Sequence, residues 1–181
     1  MSQTSLLKSA AITNLDTIPI LAPTQGEGGP SYLQEIDGYV TCLTADTTSS
    51  VYRIVRLPTN VKVKSVVIDT AALSASTTLN VGAYYSDAYS AGGVFDGTPP
   101  SLSGTVISAA FFASALAATS ANVRVDVTNQ AGNYPISNRN EYLWQALGLS
   151  ADPGGFIDIT VVPNVAIVAG GVIGLTVEYA R

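Results

Sequence analysis

The sequence predicts an all-β protein: a jelly-roll-type β-sandwich with one or two short helices in its connections and an extended N-terminal arm. Three observations carry the prediction. Runs rich in Val, Ile, Thr and Tyr recur along the chain, each bounded by Pro, Gly, Asn, Ser or Asp, which is the strand-and-turn pattern of a sandwich. Residues 122–128 and 156–162 alternate apolar and polar side chains at the period of a strand with one wet face. Finally, 181 residues with an apolar fraction of 47% are enough for one domain with a packed core.

Residues 1–37 stand apart from the body at 38–181. Pro19, Pro23, Pro30 and the Gly26-Glu-Gly-Gly-Pro30 cluster interrupt any period, so the segment reads as an extended arm. Its Leu6, Leu7, Ile12, Leu15, Ile18, Ile20 and Leu21 are too apolar for a solvated tail, so the arm is expected to dock rather than to float.

The body opens with strands at 38–43, 51–57, 61–69 and 78–85, the turns between them supplied by residues 45–50, 58–60 and 74–76. A Gly/Pro/Asp-rich loop spans 86–104, longer than a hairpin needs. Residues 107–117 are Ala-rich around Phe111, Phe112 and Leu116, which predicts a short helix. In the strand at 122–128, Val123, Val125 and Val127 are expected inward, with Arg124 and Asp126 outward. A second helix is expected over 138–147, with Asn138 and Glu141 as a capping box and Gly148 as the C-terminal stop. The closing strand should bury Ile173, Leu175, Val177 and Tyr179 while Thr176 and Glu178 face out. No fixed-period repeat is visible, which argues against a propeller or solenoid.

Composition narrows the chemistry. Histidine is absent, so no Ser-His or Cys-His nucleophile can be built and the commonest metal ligand is missing. The lone Cys42 lies in an apolar run and reads as a small buried side chain in a reducing cytoplasm. A net charge of −5 gives no basic footprint for nucleic acid, and no apolar run reaches the ~18 residues of a membrane span. The carboxylates Asp87, Asp96, Asp152 and Asp158 flank loops and read as turn formers rather than an acid/base pair or a calcium loop. No catalytic residue, cofactor or metal ligand is expected. Charged residues make up 12% of the chain, about half the ~25% usual for soluble domains. Two readings follow: a surface covered by partners, or a Ser/Thr/Asn-coated soluble domain.

Two groups of residues could contact a partner. Four of the eight Lys/Arg fall at Arg53, Arg56, Lys62 and Lys64, a basic strip that either sets docking register or is simply the wet face of strands whose Lys discourage edge pairing. Tyr84, Tyr85, Tyr89 and Phe95 gather around the long loop, either as sugar-stacking aromatics or as core and loop-closing residues.

A resemblance adds to this reading. The chain carries Tyr-Arg-Ile-Val-Arg-Leu-Pro-Thr-Asn at 52–60, Val-Lys-Ser-Val-Val-Ile-Asp at 63–69 and Leu-Asn-Val-Gly-Ala-Tyr at 79–84. Phe-Phe-Ala-Ser-Ala follows at 111–115, then Leu-Trp-Gln-Ala-Leu-Gly-Leu-Ser-Ala-Asp-Pro at 143–153 ahead of the strand at 156–162. The closing Ala-Gly-Gly-Val-Ile-Gly-Leu-Thr-Val-Glu-Tyr stands at 169–179. Over roughly residues 38–181 it resembles the capsid decoration, or cement, proteins of tailed bacteriophages. The resemblance implies a virion protein without enzymatic activity, made in the host cytoplasm. It would bind the capsid surface in many copies and cross-bridge subunits of the major capsid protein. Its expected partners are the major capsid protein and itself, as homodimer or homotrimer, with no nucleic acid and no membrane. The expected contacts are Leu15, Ile18 and Ile20 of the arm and Arg56, Lys62 and Lys64 of the body. The alternative is a carbohydrate- or receptor-binding sandwich of a tail or fibre, using Tyr84, Tyr85, Tyr89 and Phe95.

Overall fold

In the computed structural model, residues 32–44, 46–87 and 97–181 are described. Eight strands account for about half of them: β1 (Leu33–Cys42), β2 (Tyr52–Pro58), β3 (Lys62–Thr70), β4 (Thr78–Tyr85), β5 (Val106–Ala117), β6 (Asn122–Asp126), β7 (Phe156–Pro163) and β8 (Gly171–Ala180). They form two four-stranded sheets of order β1-β8-β3-β6 and β2-β7-β4-β5. The antiparallel pairs β1·β8, β2·β7, β3·β6 and β4·β5 are those of one long hairpin, first strand against last and so inward, rolled until its two layers face each other. Closing pairs β3·β8 and β4·β7 complete the sheets. This is the jelly roll.

The alternation seen in the sequence supplies the core. Val66, Ile68, Ile173, Leu175 and Val177 of one sheet and Val55, Leu57, Leu79, Val81, Ile157, Ile159 and Val161 of the other are buried, forming the layer between two packed sheets. Tyr179 also packs against this core, though it is only partly buried. At one edge Phe111, Phe112 and Tyr134 pack edge to face, with ring centroids 5.0, 5.6 and 5.3 Å apart, and the Tyr134 hydroxyl donates to the Val63 carbonyl at 2.8 Å. Cys42 is buried, its Sγ donating to the Gly171 carbonyl at 3.0 Å.

Several expectations need correction. Residues 107–117 form β5, not a helix. Their pairing with β4 shifts register three times, and Ala115 has a φ of 52°. Bulges of this kind turn both Phe111 and Phe112 inward, where a regular strand would expose one of two neighbours. The strand β4 accommodates the crossing by a glycine: a Cβ at Gly82 would lie 2.3 Å from the Ser108 carbonyl oxygen.

The helix expected over 138–147 is two shorter pieces, a 3₁₀ turn (Ile136–Asn140) and one helical turn, α1 (Leu143–Ala146). Extended backbone at Glu141 and Tyr142 separates them, so Asn138 and Glu141 form no capping box. The side chain of Gln145 instead accepts the Tyr142 N–H at 3.1 Å. Gly148 does end the helix, with a φ of 75°. In β6 the alternation fails at Val123, which is 76% exposed, because Arg124 has a φ of 49° beside a register shift in β3. Finally, β1 begins at Leu33, five residues before the start expected at Gly38. The rest of the arm, residues 1–31, and residues 88–96 of the long loop lie outside the described residues.

Candidate partner-binding surface

The four cations between 53 and 64 do not form one strip. The turn at Pro58-Thr59-Asn60 carries the chain from one sheet to the other, so Arg53 and Arg56 belong to β2 and Lys62 and Lys64 to β3. Each pair then meets a different fate.

Arg53 and Arg56 are three residues apart and would point to opposite faces of a regular strand. A register shift between Arg53 and Val55 puts Arg53 opposite Thr160 and Arg56 opposite Asp158, so both side chains reach the outer face of β7. There they share the Asp158 carboxylate. Arg56 binds it through Nε at 2.6 Å and Nη2 at 2.9 Å, and Arg53 through Nη1 at 3.0 Å. Arg53 also donates to the carbonyls of Tyr85 and Gly104, each at 3.2 Å, and lies 3.4 Å from Asp87. The Asp158 side chain is only 3% exposed. It is therefore no turn former, contrary to the sequence expectation; it ties β2, β7 and both ends of the long loop together. Asp152 does make a turn, accepting the Gly154 N–H at 2.9 Å.

Lys62 and Lys64 stand at the start of β3, where a second register shift, between Val63 and Ser65, leaves Lys64 as the extra residue. Lys64 Nζ donates to the Arg139 carbonyl at 2.7 Å and to Asn140 Oδ1 at 3.2 Å, fastening the 3₁₀ turn to the sheet. Lys62 Nζ lies 5.3 Å from the centre of the Tyr142 ring, a cation–π contact. Arg139 completes a cluster of three cations, and its Nε is buried without a hydrogen-bond partner. Burial, followed by the charges of Lys62 and Arg139, holds the Lys64 ammonium below its ordinary pKa. The same 3₁₀ turn presents Ile136, 80% exposed. Arg139 went unnoticed in the sequence because only a contact across 75 residues brings it to Lys64.

The arm residues Leu15, Ile18 and Ile20 lie outside the described residues, as do Tyr89 and Phe95. Of the remaining aromatics, Tyr85 is 8% exposed and offers no face for stacking; burial raises its pKa. Tyr84 is half-buried opposite Asp158 on the outer face. Among the described residues no group of three or more His, Cys, Asp or Glu could hold a metal ion, and no helix is long and apolar enough to cross a membrane.

No protein-family model matches the sequence, and no curated protein matches it. Solved structures do. A chain of the cyanophage Pam1 capsid asymmetric unit matches with a TM-score of 0.51 and 20% identity, over 91% of this chain and 96% of that one. The two share a fold. A chain of the capsid of Ralstonia phage GP4 matches with a TM-score of 0.49 and 15% identity, over 89% of this chain and 90% of that one.

Proposed function

We propose that this chain is a structural virion protein of a tailed phage, binding the capsid shell in many copies and cross-bridging major capsid protein subunits to stabilise the expanded head. The observation that carries the reading is the likeness of fold to a chain of the Pam1 capsid unit, spanning nearly the whole of both chains. Low charge, the absence of histidine and the use of Arg53, Arg56 and Asp158 as internal ties agree with a protein that holds rather than reacts. Attachment is assigned to the apolar residues Leu15, Ile18 and Ile20 of the N-terminal segment that precedes β1, with the sandwich as the load-bearing unit. Many weak contacts on one particle act at high effective concentration, so no single contact needs to be tight.

The test is co-sedimentation of the purified protein with expanded heads lacking it. Saturable binding at a stoichiometry comparable to the shell subunit is expected, together with greater resistance of the loaded heads to heat or chelator-induced rupture. Heads that bind none of the protein, or bind it without gaining resistance, contradict the proposal.

A further inference from the structure

Strand β6 pairs with β3 only from Val67 to Thr70. The edge left open at the start of β3 is covered by the segment that follows β6: the Tyr134 hydroxyl donates to the Val63 carbonyl, and the Leu143 N–H to the Val61 carbonyl at 2.7 Å. Three cations meet along this seam. Lys64, the extra residue of the β3 bulge, reaches the Arg139 carbonyl and Asn140, and Lys62 lies over the Tyr142 ring. Arg139 enters these contacts only through its carbonyl, and its Nε is buried without a partner, so the guanidinium is not spent on holding the fold.

The cluster lacks a counter-ion. Among the described residues, none of Lys62, Lys64 and Arg139 is in an ion pair. Of the carboxylates on the surrounding elements, Asp126 is bonded by Thr128, and Glu178 by the Ser65 hydroxyl on the β8 side of β3. Glu35 lies one strand beyond Glu178, and Glu141 is exposed. The field at Lys64 shows the result: burial, Lys62 and Arg139 all push its pKa down, and no carboxylate acts against them.

An apolar side chain stands beside these cations. Ile136 precedes Arg139 by three residues in the 3₁₀ turn. Three residues make one turn of such a helix, so the two share a side of it. Ile136 is also 80% exposed. A nucleic-acid strand has no use for an aliphatic neighbour, and three cations on a chain of net charge −5 are too few to hold one. A carboxylate on a protein surface uses both features: its oxygens fit the guanidinium fork, and an apolar neighbour covers Ile136.

We infer that Lys62, Lys64 and Arg139 form a binding site for an acidic side chain of a partner protein, with Ile136 as its apolar rim. That the shell subunit bears this side chain rests on the role proposed above; the carboxylate chemistry does not.

Two measurements on the full chain test it. In the first, NMR follows the lysine ε-carbon signals with acetyl-Leu-Glu-Leu-amide or its Gln counterpart present at about 10 mM. The Glu peptide should raise the titration midpoint of Lys64 by supplying the missing charge, and the Gln peptide should not. Equal responses to both peptides, or to neither, overturn the site. So does inorganic phosphate that displaces the Glu peptide at equal concentration. In the second, co-sedimentation with expanded heads is compared across variants. Arg139→Gln and Lys62→Gln should each bind about fivefold more weakly, with a shallower loss as salt rises, while circular dichroism is unchanged. Arg139→Lys keeps the charge and should lose less. Heads that bind wild type and variants equally overturn this inference and leave the shell role intact. Heads that bind neither remove the shell role, and the peptide measurement then decides the site by itself.

Discussion

Arg56 grips Asp158 with two parallel hydrogen bonds, Nε to Oδ1 at 2.6 Å and Nη2 to Oδ2 at 2.9 Å, around a carboxylate that is 3% exposed. The arginine is 43% exposed and Arg53 28%, so the charge is buried on one side of the pair and solvated on the other. Asp158→Ala removes the shared acceptor and leaves two guanidinium groups against each other. Breaking a fully buried pair costs about 3–5 kcal/mol; with both arginines reaching water, about 2–3 kcal/mol is expected, read as a lower urea midpoint at unchanged slope. Arg56→Lys should cost less, because Arg53 still neutralises the carboxylate, but it loses the fork geometry.

Next to this tie, Thr160 is fully buried and its Oγ1 has no hydrogen-bond partner. A buried hydroxyl left unpaired costs free energy. Thr160→Val keeps the β-branched shape and removes the orphan group, so it should stabilise the protein by about 1 kcal/mol in the same urea experiment.

Asp126 and Tyr134 are two of the groups that give the stability a dependence on pH. For Asp126, burial raises the pKa, but hydrogen bonds from the Thr128 hydroxyl and N–H and the nearby Arg139 charge outweigh it, and the net shift is downward. Its contribution is therefore present above the ordinary aspartate value of 3.8 and is lost as the pH falls below it. Tyr134 shifts the other way: burial, opposed by Arg139 and reinforced by Glu141, raises its pKa above the ordinary 10.0. Its contribution is complete below that value and is lost as the pH climbs past it. Tyr134→Phe should cost about 1 kcal/mol at neutral pH, through the lost bond to the Val63 carbonyl, and flatten the alkaline limb of the stability curve. Asp126→Asn should flatten the acid limb.

Attachment through the N-terminal segment predicts that deleting residues 1–30 abolishes co-sedimentation with heads while the circular dichroism and thermal midpoint of the body persist. Undiminished binding would move the anchor to the sandwich itself.

The strands were readable where one residue in two faces the core, as at Ile173, Leu175 and Val177, because burial imposes its period directly on the sequence. Strand β5 was not, because its bulges bury the neighbours Phe111 and Phe112 together, and apolar neighbours among alanines imitate a helix. The same local device hid the arginine pair: only the register shift at Arg53 and Val55 brings both cations to Asp158. Of the expected contact residues in the body, Arg56 is engaged by Asp158, whereas Lys62 and Lys64 belong to a cluster whose third member, Arg139, arrives by a long-range contact. A pattern read along the chain does not carry such contacts.

The most direct measurement is the copy number of this chain in purified virions relative to the major capsid protein, by quantitative mass spectrometry. The account predicts a number of the same order as the shell subunits. Absence from the particle, or a handful of copies confined to the tail, would contradict it.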